Sequence, residues 1–155
     1  MSSESISEYK VILASNSSIR KKILEDSGIS FEVVPSEVVE EELKQSLSTD
    51  NHKDFCLALA KAKALDVSNK MKNAYVIGSD QICCYGEEIF SKPLTKENCF
   101  KTLSKLSGNT HYQNCGISIC KDGKEIWSHY AQAALTMKSL SDEEIKDYIE
   151  KDKPF

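Results

Sequence analysis

Five short segments hold the residues best suited to chemistry. Asp80 stands in Ile77-Gly78-Ser79-Asp80-Gln81, directly after the apolar run Tyr75-Val76-Ile77. A carboxylate at the carboxyl end of a buried strand occupies the place where α/β proteins bind ligands. It could orient or deprotonate a water there, or hold a divalent cation; a turn in which Ser79 and Asp80 satisfy backbone donors is the plainer alternative. Ser15 and Ser17 belong to a hydroxyl-rich loop, Ser15-Asn16-Ser17-Ser18, that leads into Ile19, Arg20, Lys21 and Lys22. Such a loop at a helix start presents free N–H groups and the positive end of the dipole, which suits an anion. An ordinary capped helix with a solvated basic face is the simpler reading on local chemistry alone. Neither G-x-G-x-x-G nor a Walker loop is present.

Lys63, within a helical pattern, and Lys92, ahead of Pro93, are further cations that could meet a phosphate. Lysines on helices are usually solvated, whereas a residue before proline has a restricted backbone and a better-aimed side chain. Glu37 and Glu40, in the run from Glu37 to Glu42, could supply one or two oxygens to magnesium, which keeps several of its waters. A solvated acidic run is the commoner explanation. His52, His111 and His129 are too scattered for a metal motif, and no Ser–His–Asp or Cys–His arrangement can be argued from their order.

The elements that must position these residues alternate in kind. Val11-Ile12-Leu13-Ala14 reads as a strand, and Ile19 to Ser27 as a helix that stops at Gly28. Phe31 to Pro35 reads as a second strand, and the segment from Glu37 through His52 as polar and without a clear element. A long helix capped by Asp54 is expected over Phe55 to Val67. Tyr75-Val76-Ile77 is a buried-type strand, and Ile82 to Tyr85 with Glu88 to Phe90 form a hairpin around Gly86. Thr95 caps a helix through Leu106 that ends at Gly108. Tyr112 to Cys120 and Glu125 to Thr136 are strands joined by Asp122-Gly123, a type I′ signal. Ser141-Asp142-Glu143-Glu144 is a capping box that opens a last helix. Trp127 and Tyr130 are assigned to core or interface. The mixture is α/β.

A chain of 155 residues with 40% hydrophobic and 28% charged residues suits one domain with a core. Its net charge of −4 argues against a general nucleic-acid surface. The segment Met1 to Glu8 shows no basic stretch followed by an apolar run, and no apolar run approaches the roughly 20 residues that span a bilayer. A cytoplasmic protein without membrane or nucleic-acid partners is expected. The six cysteines form no metal spacing and are expected to be reduced, mostly buried thiols, with Cys83 and Cys84 on opposite strand faces.

Taken in order, these segments resemble the Maf family. The resemblance is carried by Ile12-Leu13-Ala14-Ser15-x-Ser17-x-x-Arg20-Lys21-x-x-Leu24, Phe31-Glu32-Val33, Glu37 and Glu40, and Ala60-x-x-Lys63-Ala64. It continues through Gly78-Ser79-Asp80-Gln81, Lys92-Pro93-Leu94, Leu106-Ser107-Gly108-x-x-His111 and Leu140-Ser141-Asp142-Glu143-Glu144-Ile145. It implies an α/β Maf/ITPase-like mixed sheet, flanked by helices, with a central nucleotide-binding cleft. The implied activity is metal-dependent hydrolysis of a nucleoside triphosphate to the monophosphate and pyrophosphate, with magnesium or manganese, in proteins that often form homodimers.

By position, the resemblance makes Asp80 the proton acceptor. It makes Ser15, Ser17, Arg20, Lys21, Lys63 and Lys92 the substrate-binding set, and Glu37, Glu40 and Asp80 the metal side. Gly-Ser-Asp-Gln is similar to the branch that prefers 7-methyl-GTP, which puts Ile19 and Gln81 at specificity positions. Hydrolysis of dTTP or UTP, or nucleotide binding without catalysis, are the alternatives. Ser18, Lys21 and Val39 depart from the family pattern, whose members carry proline, arginine and aspartate there. Relatives continue beyond position 155 into a segment that closes the base pocket, so a single domain over 1–155, shortened at its C-terminus, is expected.

Overall fold

The computed structural model describes residues 9–47 and 51–155. The segment before Tyr9 and part of the polar segment leading to His52 therefore lie outside the described residues. The elements are β1 (Lys10–Leu13), α1 (Ser18–Asp26), β2 (Glu32–Val33), α2 (Glu40–Ser46), α3 (His52–Ser68) and β3 (Ala74–Tyr85), then β4 (Glu88–Phe90), α4 (Lys96–Leu106), β5 (Thr110–Lys121), β6 (Lys124–Thr136) and α5 (Asp142–Asp152). The strands form one mixed sheet in the order β2-β1-β3-β5-β6, with β4 paired to β3. This is the α/β mixed sheet expected from the alternation of patterns.

Two compact units divide the chain, one within Met1–Asp80 and Cys115–Ala131 and the other within Gln81–Asn114 and Gln132–Phe155. In the first, β1 lies parallel to both β2 and β3, with Leu13 opposite Val33 and Ile77. Parallel strands need helical crossovers, which α1 and α3 supply. Its core gathers Ile12, Ala14, Ala64, Val67, Ala74, Val76 and Cys120. In the second, β3 turns back into β4, Cys84 opposite Ile89. There α4 and α5 share a core of Cys99, Ile145 and Ile149 with Phe100, Leu103 and Leu140 packed on it.

Local chemistry explains most element boundaries. Ser17, Thr95 and Ser141 cap α1, α4 and α5 with their side chains, and the capping box with Glu144 is formed. Asp122 and Gly123 both take positive φ, 50° and 81°, as a type I′ turn requires. All six cysteines are free thiols, with Cys84 buried and Cys83 only partly so.

Four expectations are corrected. Gly78 to Gln81 is the middle of a 12-residue strand, not a turn after one. The long helix starts at His52 under Asn51, whose side chain accepts from the Lys53 and Asp54 amides; Asp54 sits in the first turn instead of capping. A further helix, α2, forms where no element was expected, with Glu40, Glu41 and Glu42 in its first turn complementing the dipole. Trp127, assigned to core or interface, is 50% exposed on β6, which removes only the core half of that assignment.

Candidate active site

The first unit builds the site by bringing α3 unusually close to the sheet. The buried residues of α3 are Cys56, Leu59, Ala60, Lys63, Ala64, Val67 and Ser68. Up to Val67 their spacing is that of a single helical stripe, and three of its members are small. Opposite them the sheet carries glycine. A Cβ on Gly78 would run into the Ala60 carbonyl, and one on Gly116 would come within 2.8 Å of the Cys56 carbonyl. Glycine on the strands and small residues on the helix let the two backbones approach, so a lysine in the stripe meets β3 side chains directly.

Lys63 does so. It is 9% exposed, and its Nζ lies 2.6 Å from Glu40 Oε1 and 3.0 Å from Asp80 Oδ1. Asp80 is itself only 6% exposed. One ammonium is thus shared by two carboxylates, and it offsets the burial that penalises the charge of Asp80. Burial pushes the Asp80 carboxyl above its ordinary range, with the Glu40 charge adding to the shift and Lys63 and Arg20 opposing it. Glu40, nearer to water, is held below its ordinary range by the Lys63 hydrogen bond, with Lys44 and Arg20 assisting. The two carboxylates thus move in opposite directions, which is the separation expected when one is a proton acceptor.

The β1–α1 loop joins this group. Ala14 N donates to Ile77 O at 2.9 Å, which sets the loop beside the last residues of β3 in this unit. Ser15 Oγ accepts from Ser17 N at 3.1 Å and from Arg20 Nη1 at 3.4 Å, while Ser17 Oγ accepts from Arg20 N at 3.3 Å. Both serines order the loop; Ser15 anchors the guanidinium, and Ser17 caps the helix at the Arg20 amide. Lys21 is exposed on α1, as is Ile19 at 72%. Glu37 is directed elsewhere: its carboxylate meets Lys70 Nζ at 3.0 Å, and its amide donates to Asp66 Oδ2 at 2.9 Å.

In the second unit, Gln81 Nε2 donates to Gln113 Oε1 at 2.8 Å, fixing the Gln81 carboxamide. Lys92 is exposed and lines a cavity of about 230 Å³ with Ser91, Pro93, Lys101 and Lys105. Leu94, two residues on, holds a φ of 65° that costs a non-glycine residue energy. Asn98 Nδ2 donates to the Pro93 carbonyl at 3.2 Å and ties that bend to α4.

The family model described as "Maf: Maf-like protein" matches residues 10–155. The chain belongs to the Maf-like family. It is 37% identical over 153 residues to a protein named "Nucleoside triphosphate pyrophosphatase" from Legionella pneumophila (strain Corby), covering 99% of this chain and 76% of that one. It is 39% identical over 142 residues to one named "7-methyl-GTP pyrophosphatase" from Brucella abortus biovar 1 (strain 9-941), covering 90% of this chain and 71% of that one. The fold is similar to that of the Staphylococcus aureus Ham1 protein, at 17% identity and a TM-score of 0.51, over 82% of this chain and 71% of that one.

In this Maf-like chain, then, Ser15, Ser17, Arg20, Glu40, Lys63 and Asp80 are gathered in one unit. Gln81 and Lys92 lie in the other. Two contributors escaped the sequence reading. Cys56, whose Sγ donates to the Asp80 carbonyl at 3.1 Å, stands seven positions before Lys63 on the same stripe, a signal that was available. Gln113 had no local signal, because its pairing with Gln81 depends on strand register.

Proposed function

We propose that this Maf-like chain hydrolyses 7-methyl-GTP between the α and β phosphates, releasing 7-methyl-GMP and pyrophosphate, with a divalent cation and in the cytoplasm. As a Maf-like protein it is a nucleoside triphosphate pyrophosphatase, a hydrolase. The observation that carries the mechanism is the Lys63 ammonium held between Asp80 and Glu40, close enough to Arg20 for its charge to act on both carboxylates. Support for the base is narrower: Gln81 follows Asp80, as in the branch that prefers 7-methyl-GTP, and the Brucella relative bears that name.

Lys63 engages Oδ1 of Asp80, so Oδ2 takes the proton as a water attacks the α-phosphorus. The bond from that phosphorus to the bridging oxygen breaks, and its electron pair leaves with pyrophosphate. Arg20 and the outward N–H groups at the start of α1 stabilise the charge that builds on the phosphate oxygens. Ser15 and Ser17 hold Arg20 in place for that task.

The residues present fit a hard divalent cation. Two carboxylate oxygens, from Glu40 and Asp80, already converge on one positive centre, and magnesium needs only one or two such ligands beside phosphates and waters. A bound magnesium or manganese ion would neutralise phosphate charge and polarise the attacked phosphorus. Among the described residues no helix is long and apolar enough to cross a membrane.

The test is a substrate panel with magnesium or manganese in which monophosphate, pyrophosphate and phosphate are measured separately. The reading expects 7-methyl-GTP to exceed GTP, dTTP and UTP in kcat/KM by about tenfold or more, the discrimination a base pocket can supply. A preference for dTTP or UTP would transfer the assignment to the other branch. Tight nucleotide binding without turnover would make the chain a regulator.

A further inference from the structure

We infer that Cys56 is a positioning residue for Asp80, fixing the main chain of residue 80 from the same helix that fixes its side chain. The inference rests on the reading of Asp80 as the proton acceptor. Cys56 is fully buried, and its thiol uses both of its weak hydrogen-bonding capacities. The Sγ–H donates to the Asp80 carbonyl at 3.1 Å, and the sulfur accepts from the Gly116 amide. A side chain of α3 thus bridges a carbonyl of β3 and an amide of β5 at the residue that does the chemistry.

The placement is specific. Lys63 lies two turns further along α3, and helical side chains lean toward the N-terminus, which brings its ammonium back to the Asp80 carboxylate at 3.0 Å. Residue 80 is gripped at two points, its carbonyl by Cys56 and its Oδ1 by Lys63. The grip needs the close helix–sheet contact that Gly116 permits, since a Cβ there would strike the Cys56 backbone. Without the thiol, the Asp80 peptide can rotate while Lys63 still holds the carboxylate, and Oδ2 is no longer aimed. An error of aim of that kind lowers turnover and leaves nucleotide binding nearly intact.

Cys56→Ala and Cys56→Ser separate this role from mere packing. With the best triphosphate of the panel, Cys56→Ala is expected to lower kcat about tenfold with KM within about twofold, and Cys56→Ser, which keeps a donor and an acceptor, to recover kcat to within about threefold of wild type. The carbonyl ¹³C resonance of Asp80 reads the bridge without any turnover. It should move in Cys56→Ala and return toward its wild-type position in Cys56→Ser, in spectra that also show both variants folded. Unchanged kcat in Cys56→Ala, an equal loss in Cys56→Ser, or an unmoved resonance would each overturn the inference. Failure of the underlying reading looks different: the wild-type chain itself would release no pyrophosphate, whatever the resonance does.

Discussion

Lys63 can bring its charge into the buried face of α3 because two carboxylates meet it there. Removing the ammonium leaves Asp80 and Glu40 facing each other with only the more distant charge of Arg20 to offset both. Lys63→Met should therefore cost about 3 kcal/mol, toward the lower end for a broken buried pair because Glu40 is open to water. Urea unfolding would measure that loss, and pyrophosphate release should fall by about 100-fold at saturating nucleotide. A variant as stable and as active as wild type would show the lysine to be dispensable. Its burial was legible, since position 63 falls on the stripe of Cys56, Leu59, Ala60, Ala64 and Val67. Read singly, a helical lysine is a solvated one; read on that stripe, it must have partners. Asp80 was singled out from its neighbours but assigned to the wrong surroundings. Gly-Ser-Asp is turn chemistry in isolation, and here pairing carries β3 straight through it.

Elements set the distances on which those residues depend. The seam between α3 and the strands is made by Gly78, Gly116 and the small residues facing them, so Gly116→Ala should push the helix away from β5. Overpacking of this kind costs about 1–3 kcal/mol, to be seen in urea unfolding, and activity should drop as well. Undiminished stability would mean that the helix shifts at no cost. In the second unit, α4 and α5 are joined by Lys96 Nζ to Glu150 Oε1 at 2.7 Å, and that hydrogen bond holds the Glu150 carboxyl below its ordinary range. A lowered carboxyl pKa stabilises the fold above the ordinary value of 4.5, and the contribution disappears as pH falls through the lowered one. Stability curves of wild type and Glu150→Gln should accordingly differ slightly at neutral pH and converge in acid. A gap that persists in acid would point to another cause. Helices with caps and turns with glycine were readable here because their signals are local: Thr95, Ser141 with Glu144, and Asp122-Gly123 each mark a boundary. The helix α2 was not, because Glu40–Ser46 carries a single apolar residue, Leu43, and so shows no apolar period.

Across the whole molecule, an overall charge of −4 coexists with a site for a polyanion. Screening limits the net charge to a reach of roughly 8 Å at physiological ionic strength, so a local grouping such as Arg20 with Lys63 can attract an anion that the net charge would repel. That grouping joins residues dozens of positions apart, and no single segment announced it. The ordered series of segments did, because each block constrains its neighbours' spacing. What stayed hidden was cross-strand detail such as Gln81 against Gln113, which depends on register between distant strands. The claim that ties residue, element and molecule together is that Asp80 activates water for attack at the α-phosphorus. Its most direct measurement is product analysis with 7-methyl-GTP and magnesium or manganese, wild type beside Asp80→Asn. Pyrophosphate and monophosphate should form in equal amounts with wild type, and their rate should fall by about 100-fold or more in the variant. Release of inorganic phosphate in place of pyrophosphate, or undiminished turnover by Asp80→Asn, would contradict the account.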